Sequence, residues 1–332
     1  MPATAIIATV LNEGDAIRAL MESLAAQTML PDEIVIVDGG STDQTVAVMR
    51  SYAGRLPVRV MVQPGANISA GRNRAIHESG AEIIAITDAG VRLDPAWFER
   101  ITRPLLADET LEVSAGFFEP DVSNAFEASL AATTLPLHDE IDPAGFLPSS
   151  RSVAVRKRAW QRVGGYPEWL DYCEDLIFDL RLKATSPPFA FVPDALAHFR
   201  PRRSVRAYYR QYYLYARGDG KADLWRKRHA ARYLTYLVAL PIGLWLTLAV
   251  HPGFLLALVA GGLVYVRQPL RRLPRVLSAL ERATGKRLSL AERLVAYARV
   301  PALRAVGDIA KMLGYPVGWL WRLRQRPPNW RV

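Results

Sequence analysis

Twice within its first ninety residues the chain runs an apolar segment straight into an acidic turn. Ile34-Val35-Ile36-Val37 leads into Asp38-Gly39-Gly40-Ser41-Thr42-Asp43, and Ile83-Ile84-Ala85-Ile86 leads into Thr87-Asp88-Ala89-Gly90. Helical patterns separate the apolar runs. Ile17, Leu20, Met21 and Leu24 share one face of a helix predicted over 15–27, and further helices are predicted over 42–52 and 69–79. With strands at 4–11, 34–37, 58–62 and 83–87, this rhythm predicts an α/β fold. Its sheet is mostly parallel, with helices on both faces. Open sheets of that kind bind ligands at the carboxyl ends of their strands, which is where both acids fall.

After residue 90 the rhythm loosens. A helix opens at Asp94-Pro95, and strands are predicted at 111–118, 152–155 and 189–192. Short helices are predicted at 157–163 and 175–182, while 119–150 gives no clear pattern. From Tyr233 to Val266 there is no Asp, Glu, Lys or Arg, and Pro252-Gly253 divides this run in two. As a helix the first half would span roughly 27 Å, close to a bilayer core of about 30 Å. Arg226, Lys227, Arg228 and Arg232 precede the run, and Arg267, Arg271, Arg272 and Arg275 follow it. A membrane hairpin keeps both basic clusters on the cytoplasmic side. A buried hairpin in a soluble domain is the alternative. The tail from 288 to 332 mixes apolar and basic residues with Trp319, Trp321 and Trp330, a composition suited to a membrane interface or to plain helix packing.

These patterns divide the chain into a catalytic domain over 1–225, a basic-flanked apolar hairpin over 226–275, and amphipathic helices over 276–332. The net charge of +10 sits largely beside the hairpin, which points to an anionic membrane rather than nucleic acid. The single cysteine, Cys173, excludes an intrachain disulfide and fits a reducing compartment. Ile6 to Leu11 is short and lacks a basic flank, so it is expected to be a first strand rather than a signal peptide.

Five segments carry candidate chemistry. Thr9-Val10-Leu11-Asn12-Glu13 ends the first strand and suits either a base and ribose or a helix start. Asp38 follows its strand immediately and could accept a hydrogen bond from a pyrimidine N–H; Ser41, Thr42 and Asp43 also suit helix capping. Gly71-Arg72-Asn73 places an arginine early in a helix, able to reach a base or a diphosphate. Asp88-Ala89-Gly90 could meet a ribose, a diphosphate or a metal ion. Gly164-Gly165-Tyr166 leads through aromatics to Glu174-Asp175. Asp171 and Glu174 have capping-box spacing, which leaves Asp175 as a candidate general base. His198 could complete a metal shell. Walker, G-x-G-x-x-G and G-x-S-x-G signatures are absent, which argues against P-loop enzymes, dinucleotide dehydrogenases and α/β-hydrolases.

In this order the segments resemble the family-2 inverting glycosyltransferases of GT-A fold, a Rossmann-like architecture, in the membrane-attached bacterial type. The resemblance covers residues 3–220 and rests on T-x-x-N-E, V-D-x-G-S-T-D, R-N, D-x-x and G-G-Y leading to E-D. It implies hexosyl transfer from a UDP- or GDP-sugar to a lipid or membrane-proximal acceptor. Thr9, Asn12, Glu13, Asp38, Arg72, Asp88 and Ala89 would hold the nucleotide sugar. Asp175 would be the base, with Glu174 beside it. Asp88 and His198 would hold a divalent cation, Mg2+ or Mn2+. The site would lie at the cytoplasmic face of the cell membrane. Gln211 to Arg217 lacks the tryptophan of the Q-x-x-R-W motif, so processive synthesis is not implied.

Two departures stand out. Gly39 replaces the second acid of V-D-D, and Gly90 replaces the last acid of D-x-D, which makes the metal conditional. Other classes remain open: a nucleotide-binding membrane scaffold with a decayed site, or a nucleotidyltransferase of related fold.

Overall fold

The computed structural model describes residues 2–186 and 188–331. It divides into two compact units: 1–121 with 138–200 and 328–332, and 122–137 with 201–327.

The first unit is built on one eight-stranded sheet. In chain order its elements are β1 (Thr4–Val10), α1 (Ile17–Ala25), β2 (Glu33–Asp38), α2 (Thr45–Arg50), β3 (Val58–Val62), α3 (Ile68–Glu78), β4 (Ile83–Ile86), β5 (Val91–Leu93), α4 (Trp97–Ala107) and β6 (Val113–Pro120). After α5 (Ala125–Thr134), which belongs to the second unit, come β7 (Val153–Arg156), α6 (Lys157–Val163), α7 (Glu174–Thr185) and β8 (Ala190–Phe199). The strand order is β3-β2-β1-β4-β7-β6-β8-β5. The first four strands are parallel, as their sequence rhythm predicts. Beyond β4 the sheet is mixed, with β7 antiparallel to both β4 and β6, β6 parallel to β8, and β5 antiparallel to β8.

Alternation along β1, β2 and β4 feeds two cores. Ile6, Ala8, Ile34, Ile36, Ile83 and Ala85 face α1, α2 and α4 through Leu20, Met21, Met49, Trp97 and Phe98. Ala5, Ile7, Val35, Val37, Ile84 and Ile86 face α3, α6 and α7 through Ile76, Ala159, Val163 and Phe178. Continuous apolar strands covered on both faces are the expected signature of a parallel sheet. Register aligns the strand ends that matter: Thr9 pairs with Val37, Val10 with Asp38, and Ile7 with Ile86.

Several local expectations change. α2 begins at Thr45 rather than Thr42, because Thr42 N donates to Asn12 Oδ1 at 2.9 Å and Asp43 Oδ1 accepts from Thr45 N at 3.0 Å. A three-residue strand, β5, follows the Asp88 turn. β8 runs ten residues, so His198 lies inside a strand, opposite Arg92 and Glu119, rather than after one. A register shift between Gly116 and Phe117 absorbs the extra length.

The second unit is helical: α5, α8 (Val205–Ala222), α9 (Arg226–Leu234), α10 (Leu240–Ala249), α11 (Phe254–Thr284) and α12 (Leu290–Gln325). One five-residue π turn, Thr235–Ala239, joins α9 to α10, so helical structure is continuous from Arg226 to Ala249. Two helical stretches, Arg226–Ala249 and Phe254–Thr284, are long and apolar enough to cross a membrane. Their side chains stay open: Leu248 is 87% exposed and Leu256 and Val264 are each 74% exposed. That exposure sets aside the buried-hairpin alternative within this unit. Lower down, Leu273, Val276, Leu277 and Leu280 of α11 pack with α5 and with Ala296 and Val300 of α12. α8 and α12 approach to backbone contact. A Cβ on Gly318 would lie 1.9 Å from the carbonyl oxygen of Arg217, so only glycine permits this packing.

Candidate active site

At the carboxyl ends of β1 and β2 lies a cavity of about 250 Å³ lined by residues that include Thr9, Leu11, Glu13, Gly39, Asn67 and Gly71. It is smaller than the roughly 300–1,000 Å³ of whole-ligand pockets, which suits a base or ribose with the rest of the ligand running outward. Thr9 and Glu13 line it. Asn12 does not. Its backbone takes a left-handed φ of 52°, its N–H donates to Ser41 Oγ at 2.7 Å, and its Oδ1 holds Thr42 N. Asn12 therefore clamps two loops together.

Asp38 also departs from expectation. It is fully buried, and its carboxylate accepts from Gly40 N at 2.9 Å, Ser41 N at 2.8 Å and Ser41 Oγ at 2.5 Å. Those three bonds fold its own turn, and Gly39 is the residue that lines the cavity in its place. A Cβ at position 39 would meet the Ala66 carbonyl oxygen at 3.0 Å, so the wall here is backbone.

Arg72 is the centre of the site. Only 1% exposed, it spans two elements: Nη2 donates to Asp88 Oδ1 at 2.6 Å and Nη1 to Glu174 Oε1 at 2.9 Å. Its guanidinium lies 5.1 Å from the centre of the Tyr166 ring, which stacks on Phe178 at 4.1 Å. The Tyr166 hydroxyl meets Ser150 Oγ at 3.0 Å. With both ends of its fork taken, Arg72 positions carboxylates rather than reaching a base. Next to it, Asn73 pins the Gly-Gly-Tyr loop. Its Nδ2 donates to Tyr166 O and its Oδ1 accepts from Tyr166 N and Trp160 Nε1.

The predicted capping box does not form. α7 starts at Glu174 after Cys173, which takes a left-handed φ of 66° and gives no side-chain cap, so Glu174 is turned toward Arg72. Asp175 is half-buried in the same first turn, with Oδ1 accepting from Leu176 N at 2.8 Å. One turn on, Asp179 is buried and its Oδ2 has no hydrogen-bond partner among the described residues.

Electrostatics follow from this crowding. Burial and the nearby Asp175 push Glu174 up to about 7, against the pull of Arg72. Burial and Asp175 also raise Asp179 well above the usual carboxylate range. Burial opposes charge on Asp88, but Arg72 and Arg151 hold it below that range. Ala89 is buried in the core with Val91 and Leu93.

The metal expectation meets a poor donor set. Asp88 offers one carboxylate, with Oδ1 bound to Arg72 and Oδ2 3.7 Å from Arg151 Nε. Gly90 offers none. His198 Nε2 turns to Asp94 Oδ1 at 3.9 Å. Among the described residues no group of three or more His, Cys, Asp or Glu side chains is placed to hold a metal ion. Mg2+ and Mn2+ favour several oxygen ligands, so this set does not fit one.

Sequence reasoning missed Arg151 and Asp179. Arg151 lies in an unremarkable Ser-Ser-Arg-Ser segment. The spacing of Asp179 from Asp175, one helical turn, is the signal that could have found it.

Residues 5–147 match the family model described as glycosyl transferase family 2. An uncharacterized glycosyltransferase of Escherichia coli K12, YibD, is 36% identical over 105 residues, which are 31% of this chain and 30% of that protein. The chain thus spans less than a third of that relative. The succinoglycan biosynthesis protein ExoA of Rhizobium meliloti is 28% identical over 256 residues, 74% of this chain and 78% of the relative. Among solved structures, a mannosyltransferase from Pyrobaculum calidifontis, in complex with GDP-Man and Mn2+, superposes with a TM-score of 0.56. The match is 19% identical and covers 98% of this chain and 88% of that one, a likeness of fold.

Proposed function

We propose, on the premise that this chain is a member of glycosyl transferase family 2 with a GT-A fold, that it moves a sugar from a UDP- or GDP-linked donor to a lipid or membrane-proximal hydroxyl with inversion. One observation carries this reading. Arg72 ties Asp88, beyond the end of β4, to Glu174 at the start of α7, beside a cavity at the ends of β1 and β2. Donor and acceptor chemistry then share one rigid ionic bridge.

In this mechanism the nucleotide enters the Thr9–Glu13–Gly71 cavity and its diphosphate runs toward Asp88. Asp175 takes the acceptor's proton. The acceptor oxygen attacks C1 from the face opposite the diphosphate. The C1–O bond breaks, and its electron pair leaves with the β-phosphate. Asp175 suits the base because it is half-buried and stands in an aromatic and acidic surround. The donor set around Asp88 does not fit a divalent cation, so no step runs through one. The apolar stretches flanked by Arg226–Arg232 and Arg267–Arg275 support attachment to the cytoplasmic face of a membrane.

The test is a panel of UDP- and GDP-sugars given to the full chain in detergent with a membrane-lipid extract, following release of nucleoside diphosphate. One donor is expected to turn over with acceptor-dependent kinetics, giving a product of inverted anomeric configuration. Retention of configuration would remove the single-displacement mechanism, and silence across the whole panel would remove the transferase reading.

A further inference from the structure

Arg151 occupies a position that its sequence context does not announce. β4 and β7 pair antiparallel, ending at Ile86 opposite Val153. Just beyond that pairing, Asp88 and Arg151 approach each other. Thr87 Oγ1 donates to the Arg151 carbonyl oxygen at 3.1 Å, which fixes the backbone there. Its guanidinium is held by three features. It lies 4.7 Å from the centre of the Phe199 ring and 5.8 Å from that of Phe118, and its Nη1 donates to Ser149 Oγ at 3.0 Å. The side chain remains 24% exposed, equal to Asp88, whose Oδ2 lies 3.7 Å from Nε. The result is a pre-oriented, solvent-reachable cation at the ligand-binding edge of the sheet.

This cation competes with any metal at Asp88. A divalent ion bound to Oδ2 at about 2.0–2.6 Å would sit within a few ångströms of a permanent positive charge. An arginine, in contrast, matches phosphate oxygens through its planar fork and keeps its proton throughout.

We infer that Arg151 holds the donor's diphosphate, in the place where a divalent cation would otherwise balance its charge, so that nucleotide binding does not require a metal. This rests on the nucleotide-sugar reading above. As the acceptor oxygen bonds to C1 and the C1–O bond breaks, the electron pair stays on the β-phosphate oxygen. Arg151 donates hydrogen bonds to that oxygen or its neighbours, and the acceptor proton goes to Asp175.

Calorimetric titration of the full chain in detergent with UDP, GDP, UMP and GMP tests this, each run in EDTA and again with Mn2+. The wild type is expected to bind one diphosphate in EDTA with an affinity within about threefold of that in Mn2+. Arg151→Ala should weaken the diphosphate at least tenfold while moving the matching monophosphate by less than threefold, the latter also reporting that the fold is intact. Arg151→Lys should recover part of the loss, as a point charge without the fork. Diphosphate binding that vanishes in EDTA, or that is indifferent to Arg151→Ala, overturns the inference and leaves the transferase reading standing. No binding of either diphosphate under any condition removes both.

Discussion

The sheet unit buries a cation among acids, and the helical unit buries an acid among cations and phenols. Arg72 contacts Asp88 and Glu174 directly and feels Asp175 as well; Asp179 feels Arg72 in turn. Asp308 of α12 accepts from Arg232 Nε at 2.8 Å and Tyr265 Oη at 2.6 Å, with Lys311 at 3.9 Å. The outcomes differ in sign. Around Arg72 burial, helped by the nearby Asp175, drives Glu174 up to about 7. Around Asp308 burial opposes the charge, but Tyr265 and Arg232 keep the carboxylate below its usual range, and burial with Arg232 brings Lys311 down to about 8. Burial beside other acids favours the protonated carboxyl. A half-buried acid held by several donors is a fastener. Here it joins α9 and α11, at the ends of the apolar stretches, to α12.

Substitutions can break this contrast, and the largest effect belongs to the acids. Asp175→Asn is expected to lower transfer by about 10²–10⁴-fold with nucleotide affinity little changed. Near wild-type turnover in steady-state assays would take the base role away from Asp175. Next comes Arg72→Met, which leaves the buried Glu174 without its cation and Asp88 with Arg151 alone, and should cost about 3–5 kcal/mol in denaturant unfolding of the full chain. A cost below about 1 kcal/mol would mean that the bridge holds nothing. Asp308→Asn should cost about 1–3 kcal/mol, read as a lower Tm in detergent, without any change in nucleotide binding. If nucleotide affinity falls as well, the fastener is more than structural.

The smallest effect is one of pH. Glu174 has a folded value raised from 4.5 to about 7, so its contribution to stability is full below about 4.5 and is lost as pH rises through about 7. Wild-type Tm should therefore decline between about pH 5 and 7.5, and Glu174→Gln should flatten part of that slope. Asp179→Asn should flatten it as well, since its shift has the same direction. An unchanged slope in both variants would show that neither carboxyl holds a proton in the folded chain.

Much of the fold was legible because it is local. The apolar runs in 4–11, 34–37 and 83–87 and the helical spacing of Ile17, Leu20, Met21 and Leu24 are patterns that neighbouring residues set. The charge-free run from 233 to 266 likewise announced exposed apolar helices. β5, the full length of β8 and the antiparallel insertion of β7 were not legible, because strand pairing across a sheet depends on partners distant in sequence.

For the site, the sequence by itself determined which residue types stand at the strand ends and at the start of α7: Thr9, Glu13, Asp88, Glu174 and Asp175. Tertiary structure alone decided how each is used. Arg72 reaches Glu174 across 102 positions of chain and so is closed to a base. Asp38 spends its carboxylate on its own turn, and His198 faces Asp94. Arg151 comes near Asp88 only because β7 is laid beside β4 in the sheet. The physical reason is that a charged side chain takes its role from the nearest opposite charge and from its burial. Neither quantity is carried by residue type or spacing until the chain has closed on itself.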